Sequence, residues 1–138
     1  MQAETQAIRR PGAQPARKPA RLKKAREFQR VRQQGRSIGA ALLTLGWAPN
    51  ALAVSRCGYT VGKRVGGAVM RNRVKRRLRE IIRLQARAGQ LAPSYDLVLI
   101  ARTGAAQASY QQLAAEVVSL LRRAHLWHAA PPEGTHSV

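Results

Sequence analysis

The sequence is short of acidic residues, cysteine and aromatic rings, and each shortage narrows the possible functions. Six Asp and Glu stand against 25 Lys and Arg in 138 residues, for a formal net charge of +19. Cys57 has no second cysteine to pair with, so an intrachain disulfide and the cysteine-based zinc sites are excluded. We expect Cys57 to be a small buried apolar residue. Aromatic residues make up only 4% of the chain, which leaves few rings for stacking on a ligand.

Long apolar runs are also missing. No segment reaches the ~18 consecutive apolar residues that a membrane helix requires, and the N-terminus lacks the hydrophobic centre of a signal peptide. Residues 1–20 contain three prolines and little apolar periodicity, unlike a mitochondrial presequence. We therefore expect a cytoplasmic protein with no membrane partner.

Residues that could carry out catalysis are sparse. The three histidines, His125, His128 and His136, lie near the C-terminus, and none is spaced with a carboxylate for acid–base work. Asp96 stands alone, and no two carboxylates are close enough in sequence to suggest a Mg²⁺ site. We predict no catalytic residue and no metal or cofactor bound by the protein alone.

The excess of positive charge points to a polyanionic partner. Uncompensated charge of this size opposes compaction and concentrates polyanions, so nucleic acid is the first candidate and an anionic membrane surface the second. Arginine outnumbers lysine, and the planar guanidinium suits both phosphate groups and base stacking. At this length we expect a single domain with a hydrophobic core.

Apolar periodicity predicts helices and strands between two disordered tails, 1–20 and 128–138, with the folded domain at 21–127. The helical and strand-like segments alternate as helix, strands, helix, strand, helix: 23–34, 38–47, 52–61, 70–85, 95–102 and 109 onward. Gly35 is placed to end the first helix, and Ser109 with Gln112 has the spacing of a capping box for the last. The run at 95–102 is apolar almost throughout, as in a strand covered on both faces.

The second predicted helix contains a strongly basic segment, residues 71–80. Six of its ten residues are cationic, and only Glu80 offsets them. One apolar stripe has the helical spacing of a buried face: Val74, Leu78, Ile81 and Ile82. A solvated helix face would normally intersperse acids, whereas repeated like charges at i, i+4 destabilise an isolated helix. This pattern favours phosphate binding, and the neutral amide of Asn72 within it suggests a specific hydrogen bond.

Two further cations, Lys63 and Arg64, come just before this helix and are followed by Gly66 and Gly67. Glycines at a helix N-terminus let backbone amides approach a phosphate. The spacing is not that of a Walker loop, so a plain strand-to-helix turn explains these residues equally well.

Residues 63–80, KRVGGAVMRNRVKRRLRE, resemble the signature of the bacterial ribonuclease P protein component. RLKKAREFQRV at 21–31 is similar to the first helix of that family, and 95–110 resembles its last strand and the start of its last helix. The resemblance covers roughly residues 21–124. It implies an α+β fold, a two-layer αβ sandwich around one four-stranded sheet, with a left-handed βαβ crossover that departs from the usual handedness.

The resemblance also implies a function. Family members are the protein subunit of a ribozyme that removes the 5′ leader of precursor tRNA by endonucleolytic cleavage. The RNA subunit is expected to hold Mg²⁺ and perform catalysis. The implied partners of the protein are therefore the ribonuclease P RNA and the 5′ leader of precursor tRNA, with no obligate protein partner.

Carried over to this sequence, the resemblance assigns RNA binding to eight residues: Lys63, Arg64, Arg71, Asn72, Arg73, Lys75, Arg76 and Arg79. It assigns Phe28 to a cleft that takes the single-stranded leader, although a role as a core anchor is an equal alternative. Arg32 stands where the family often has a second aromatic residue. We therefore expect leader contacts through arginine stacking and charge as well as through rings.

Two other functions remain as alternatives. A ribosomal or RNA-chaperone protein could share the fold and charge but not the partner. A DNA-binding or membrane-surface protein could use the basic helix, but the apolar stripe has no Trp or Phe to enter lipid. The basic motif together with its flanking helix and strand favours the ribozyme subunit.

Overall fold

The structure is a computed structural model that describes residues 20–128. These residues form three helices and five strands, in the order β1 (Ala20–Arg21), α1 (Ala25–Gln34), β2 (Arg36–Gly39), β3 (Leu43–Pro49), β4 (Arg56–Thr60), α2 (Ala68–Arg87), β5 (Tyr95–Ala101) and α3 (Tyr110–Arg123). The two predicted disordered tails lie outside the described residues, except for Ala20 and His128. Both of these are hydrogen bonded: Ala20 belongs to β1, and the His128 amide donates to Gln90 O at 2.7 Å.

The strands form one sheet in the order β1-β4-β5-β3-β2. β4 runs parallel to both β1 and β5, whereas β3 runs antiparallel to both β5 and β2. The mixed α+β fold is confirmed, but the sheet has five strands rather than the expected four. The additional strand is β1, where Ala20 pairs with Arg56; two residues are too few to produce a periodic signal in the sequence.

The segment predicted as one strand at 38–47 is a hairpin. β2 and β3 pair with each other, and the amide of Ala40 donates to Leu43 O at 2.9 Å across the turn. Further along, β4, α2 and β5 make a βαβ unit of neighbouring parallel strands. The left-handed sense of this crossover stays a prediction from the family resemblance.

Both faces of the sheet are covered by helices, because alternate side chains of its central strands point to opposite sides. Leu45, Leu97 and Leu99 lie in the main core together with the apolar stripes of α2 and α3. On the other face, Val98 packs with Val31 of α1 in a smaller cluster. α1 therefore forms a third layer, in addition to the two layers that were predicted. The prediction that residues 95–102 form a strand covered on both faces is confirmed.

Several local predictions are confirmed. The α2 stripe is buried, each member being at most 1% exposed: Val74, Leu78, Ile81 and Ile82. Gly35 ends α1. In the capping box of α3, the Gln112 amide donates to Ser109 Oγ at 3.0 Å, and the Ser109 amide donates to Gln112 Oε1 at 2.8 Å. Cys57 is buried, and burial raises the pKa of its thiol to about 12, so it remains protonated and unreactive.

A buried carboxylate fixes α1 to the sheet. Asp96, at the start of β5, is fully buried and accepts hydrogen bonds from three side chains: Arg30 Nη2 at 2.8 Å, Arg56 Nε and Nη2 at 2.8 and 2.7 Å, and Asn50 Nδ2 at 2.8 Å. Arg56 also donates to Glu27 of α1 at 2.9 Å. Burial alone would raise the pKa of Asp96, but these hydrogen bonds outweigh it and hold the pKa at about 2. The carboxylate is therefore ionised at neutral pH.

Candidate nucleic-acid interface

The α2 basic surface is a set of polar side chains of this helix that do not belong to its buried stripe: Arg71, Asn72, Arg73, Lys75, Arg76 and Arg79. Asn72 and Arg76 are exposed, and the others are partly exposed. The salt bridges found among residues 20–128 use other cations; the acid of this helix, Glu80, pairs with Arg83 at 2.7 Å. The positive charge of this surface is thus not neutralised within the described part of the chain, which favours a polyanion.

Two arginines of α2 also hold the helix in place. Arg71 Nε donates to Gly66 O at 3.1 Å, and Arg77 Nη1 donates to Ala108 O at 3.1 Å. Arg71 retains its terminal Nη groups for a ligand, whereas Arg77 is directed toward the segment that precedes α3. Arg71 thus bonds to the turn next to its own helix, whereas Arg77 bonds to a segment that is distant along the chain.

A groove of about 390 Å³ extends the α2 basic surface toward the sheet. It is lined by Arg76, Arg79 and the Glu80–Arg83 ion pair of α2, and by Arg21 and Lys23 from the start of the described chain. β1 brings these last two residues here by pairing with β4. They were missed from the sequence, where the basic string at 21–24 was visible but its pairing was not. Tyr59 also lines the groove, and burial raises the pKa of its hydroxyl, so it is neutral and can donate a hydrogen bond.

Lys63 and Arg64 lie at a second place near α2. They are exposed in a 3₁₀ turn, Lys63–Val65, between β4 and α2. Gly66 ends this turn with a φ of +152°, which strongly favours glycine. A groove at the carboxyl ends of β4 and β5 joins Lys63 and Arg64 with Arg102, a third cation that was not predicted.

The cleft predicted for a single strand lies on the opposite face of the sheet, between α1 and the strands. The α1 cleft, about 140 Å³, is lined by ten residues: Phe28, Val31, Arg32, Gly35, Arg36, Ser37, Thr44, Gly46, Val98 and Ile100. Both predicted residues, Phe28 and Arg32, are among them. Phe28 is the one aromatic ring in this lining.

Phe28 packs as a core anchor and also borders the α1 cleft, while its contact with a leader stays a prediction. The Phe28 side chain is half-buried and packs against the small cluster under α1. Its ring lies against Gly58 of β4, where a Cβ on the glycine would come within 2.5 Å of the ring. The same ring lines the α1 cleft. It therefore anchors α1 on the sheet and presents a surface to the cleft, while Arg32 is exposed beside it.

Residues 16–125 match the family model described as Ribonuclease P. The chain belongs to the ribonuclease P protein family. A ribonuclease P protein component of Roseiflexus castenholzii is 47% identical over 114 residues, which is 82% of this chain and 92% of that protein. The ribonuclease P protein component of Chloroflexus aurantiacus is 42% identical over 118 residues, which is 85% of this chain and 86% of that protein.

Solved structures of ribonuclease P proteins have the same fold. The Staphylococcus aureus protein superposes with a TM-score of 0.72 at 28% identity, over 80% of this chain and 100% of that one. The Thermotoga maritima protein gives a TM-score of 0.68 at 26% identity, over 75% and 96% of the two chains. The family resemblance first seen in residues 63–80 is confirmed.

Within residues 20–128, no helix is long and apolar enough to cross a membrane. No three His, Cys, Asp or Glu side chains in this range lie together as metal ligands would. The buried carboxylate of Asp96 is already surrounded by arginines and Asn50, so it does not fit a Mg²⁺ ion. That Mg²⁺ is held by an RNA subunit stays a prediction.

Proposed function

We propose that this chain is the protein subunit of ribonuclease P, which binds the catalytic RNA and the 5′ leader of precursor tRNA and assists endonucleolytic removal of the leader. The observation that carries the proposal is the α2 basic surface, whose cations have no carboxylate partners among residues 20–128. Family membership supplies the identity of the partner RNA.

On the α2 basic surface, arginine and lysine side chains contact phosphates of the folded catalytic RNA. Such contacts supply affinity and fix the orientation of the protein, but carry little sequence information. Asn72 supplies a donor and an acceptor for one specific hydrogen bond to the RNA. Lys63, Arg64 and the unpredicted Arg21, Lys23 and Arg102 extend this surface at its two ends.

The leader of precursor tRNA occupies the α1 cleft. Phe28 offers a ring on which any base can stack, worth about 1–3 kcal/mol per base. Arg32 and Arg36, exposed beside the cleft, pair with leader phosphates or stack on bases. A cleft with one ring and two guanidinium groups binds a single strand without strong sequence preference, as a subunit that serves many precursors requires.

Catalysis in this proposal belongs to the RNA subunit with its Mg²⁺ ions, in the cytoplasm and without an obligate protein partner. The chain contributes no acid, base or nucleophile to the chemical step. Its residues bind and orient the two RNAs.

Arg73 and Arg122 provide a matched test of the α2 surface. Arg73→Ala should weaken binding to a bacterial ribonuclease P RNA about 10-fold, because a charge-assisted contact to phosphate is lost. Arg122 is an exposed arginine of α3, and its guanidinium carbon lies 4.3 Å from the centroid of the Trp127 ring. Arg122→Ala should change RNA affinity less than about 2-fold, measured by titration under the same salt. Equal losses in the two variants would show that bulk charge, and not the α2 surface, determines binding.

A further inference from the structure

A wide groove of about 870 Å³ lies at the β2 edge of the sheet, outside the α2 basic surface. The Trp47 groove, as we call it, has eleven lining residues, which include two aromatic and three basic side chains: Trp47, Tyr95, Arg36, Arg123 and His125. They come from β3, β5, β2 and the end of α3. Apart from Arg36, which also borders the α1 cleft, neither the family resemblance nor the proposed function assigns them a role.

The strand register places the two rings side by side. Trp47 is directly opposite Leu97 in the β3–β5 pair, and Tyr95 is two residues before Leu97 on the same strand. Diagonal neighbours of this kind share a face and lie about 7–8 Å apart. Both rings are half-buried against the main core, so each also has an exposed part.

Basic side chains flank the rings on both sides. Arg36 is opposite Trp47 in the β2–β3 pair, and is exposed. Arg123 is exposed and donates one hydrogen bond, from Nη1 to Gly39 O at 3.2 Å. His125 is exposed at the end of α3, where its φ of +61° turns the chain. The groove has no acidic side chain in its lining, and no salt bridge in residues 20–128 involves Arg36 or Arg123.

Aromatic rings beside guanidinium groups recognise unpaired nucleotides, because the bases stack on the rings while the phosphates meet the cations. An acidic peptide would use the charges but has no need for two adjacent rings. The composition of the groove therefore favours single-stranded nucleic acid over a peptide paired to the exposed β2 edge.

The Trp47 groove is continuous with the α1 cleft. Gly35, Arg36 and Ser37 line both of them. At this junction α1 ends tightly against β3, since the carbonyl of Trp47 occupies the space that a Cβ on Gly35 would need. A strand that leaves the α1 cleft can thus cross the β2 edge and reach the two rings without losing contact with the protein.

We propose that the Trp47 groove binds leader nucleotides that extend beyond the α1 cleft, so that the protein holds a longer single strand than the cleft alone accommodates. This rests on the proposed function of the α1 cleft. Its consequence is a dependence of substrate affinity on leader length that involves Trp47 and Arg123 but not the α2 basic surface.

The test uses holoenzyme assembled from the full chain and a bacterial ribonuclease P RNA, with precursor tRNAs whose leaders are roughly 4 or roughly 16 nucleotides long, the range of site sizes in single-strand-binding domains. Wild-type holoenzyme should bind the long-leader substrate about 10-fold more tightly, the gain expected from stacking on a ring. Trp47→Leu should reduce this gain to less than about 2-fold and leave affinity for the short leader unchanged.

Arg123→Gln tests the same groove without altering the core, because Arg123 is exposed, and it serves if Trp47→Leu impairs folding. Arg123→Gln should lower the affinity gain from the long leader by about half or more. The control Arg87→Gln removes an exposed arginine at the end of α2 and should leave this affinity gain at the wild-type value. A full gain in both Trp47→Leu and Arg123→Gln would overturn the proposal and leave the β2 edge to a peptide partner. If wild-type protein fails to improve binding even of the short leader, the proposed function itself is wrong.

Discussion

Asp96→Asn is expected to lower the free energy of unfolding by about 3 kcal/mol, the low end of the cost of removing one partner from a buried ion pair. The substitution removes the negative charge that compensates Arg30 and Arg56, and it places amide donors opposite guanidinium donors. Because Arg30 belongs to α1, the helix should also separate from the sheet more readily. Denaturant titration followed by circular dichroism measures the change.

Glu80→Gln is the matched control for this prediction. It also removes one carboxylate from an arginine, but the Glu80–Arg83 pair is substantially exposed, with side-chain exposures of 43% and 31%. Exposed pairs contribute about 0–1 kcal/mol. If Asp96→Asn costs no more than Glu80→Gln, the buried cluster does not stabilise α1 as described.

Acid should remove the same stabilisation from the wild-type protein. The pKa of Asp96 is about 2 in the folded state, below its ordinary value near 3.9 in the unfolded chain. The contribution of a carboxylate with a lowered pKa is fully present above the unfolded pKa and is lost as the pH falls toward the folded pKa. We expect the stability difference between wild type and Asp96→Asn to shrink by roughly 2 kcal/mol between pH 6 and pH 2. A difference that stays constant over this range would show that charge is not its origin.

The second large effect concerns salt. If six cations of the protein meet phosphates, namely the five of the α2 basic surface and one of Lys63 and Arg64, its affinity for ribonuclease P RNA should fall about 10³-fold between 50 and 200 mM monovalent salt, by the rule for duplex DNA. Replacing Arg73, Lys75 and Arg76 with Gln removes three of these contacts. The fall in affinity should then shrink to roughly 40-fold, because each phosphate contact contributes about 0.9 to the slope of log affinity against log salt concentration.

Three exposed arginines outside the α2 basic surface give a control with the same change in net charge: Arg26, Arg87 and Arg122. Their joint replacement with Gln should leave the salt dependence near 10³-fold. A smaller slope in this control as well would mean that the whole charge of +19, rather than one helix face, attracts the RNA.

Features produced by neighbouring residues were predictable from the sequence. The buried stripe of α2 follows from apolar residues at helical spacing, and the cap of α3 follows from Ser109 and Gln112 being three residues apart. The basic motif at 63–80 was specific enough to indicate the family. With the stripe fixed, the side of α2 that carries the cations was also determined.

Features produced by distant residues were not predictable. Asp96 looked isolated because its partners, Arg30, Asn50 and Arg56, are 40 to 66 residues away along the chain. β1 has only two residues and becomes visible through its pairing with β4. The groove around Trp47 depends on strand register, since a shift of one residue would place that ring on the α1 side of the sheet.

The most direct test of the proposed function is to measure leader removal from precursor tRNA by a bacterial ribonuclease P RNA at low Mg²⁺, with and without the purified full-length chain. We expect that the chain raises kcat/KM, that the variant lacking Arg73, Lys75 and Arg76 raises it much less at the same concentration, and that the chain alone cleaves nothing. No stimulation by the wild-type chain would contradict the assignment of its partner. Cleavage by the protein in the absence of RNA would contradict the division of labour between the two subunits.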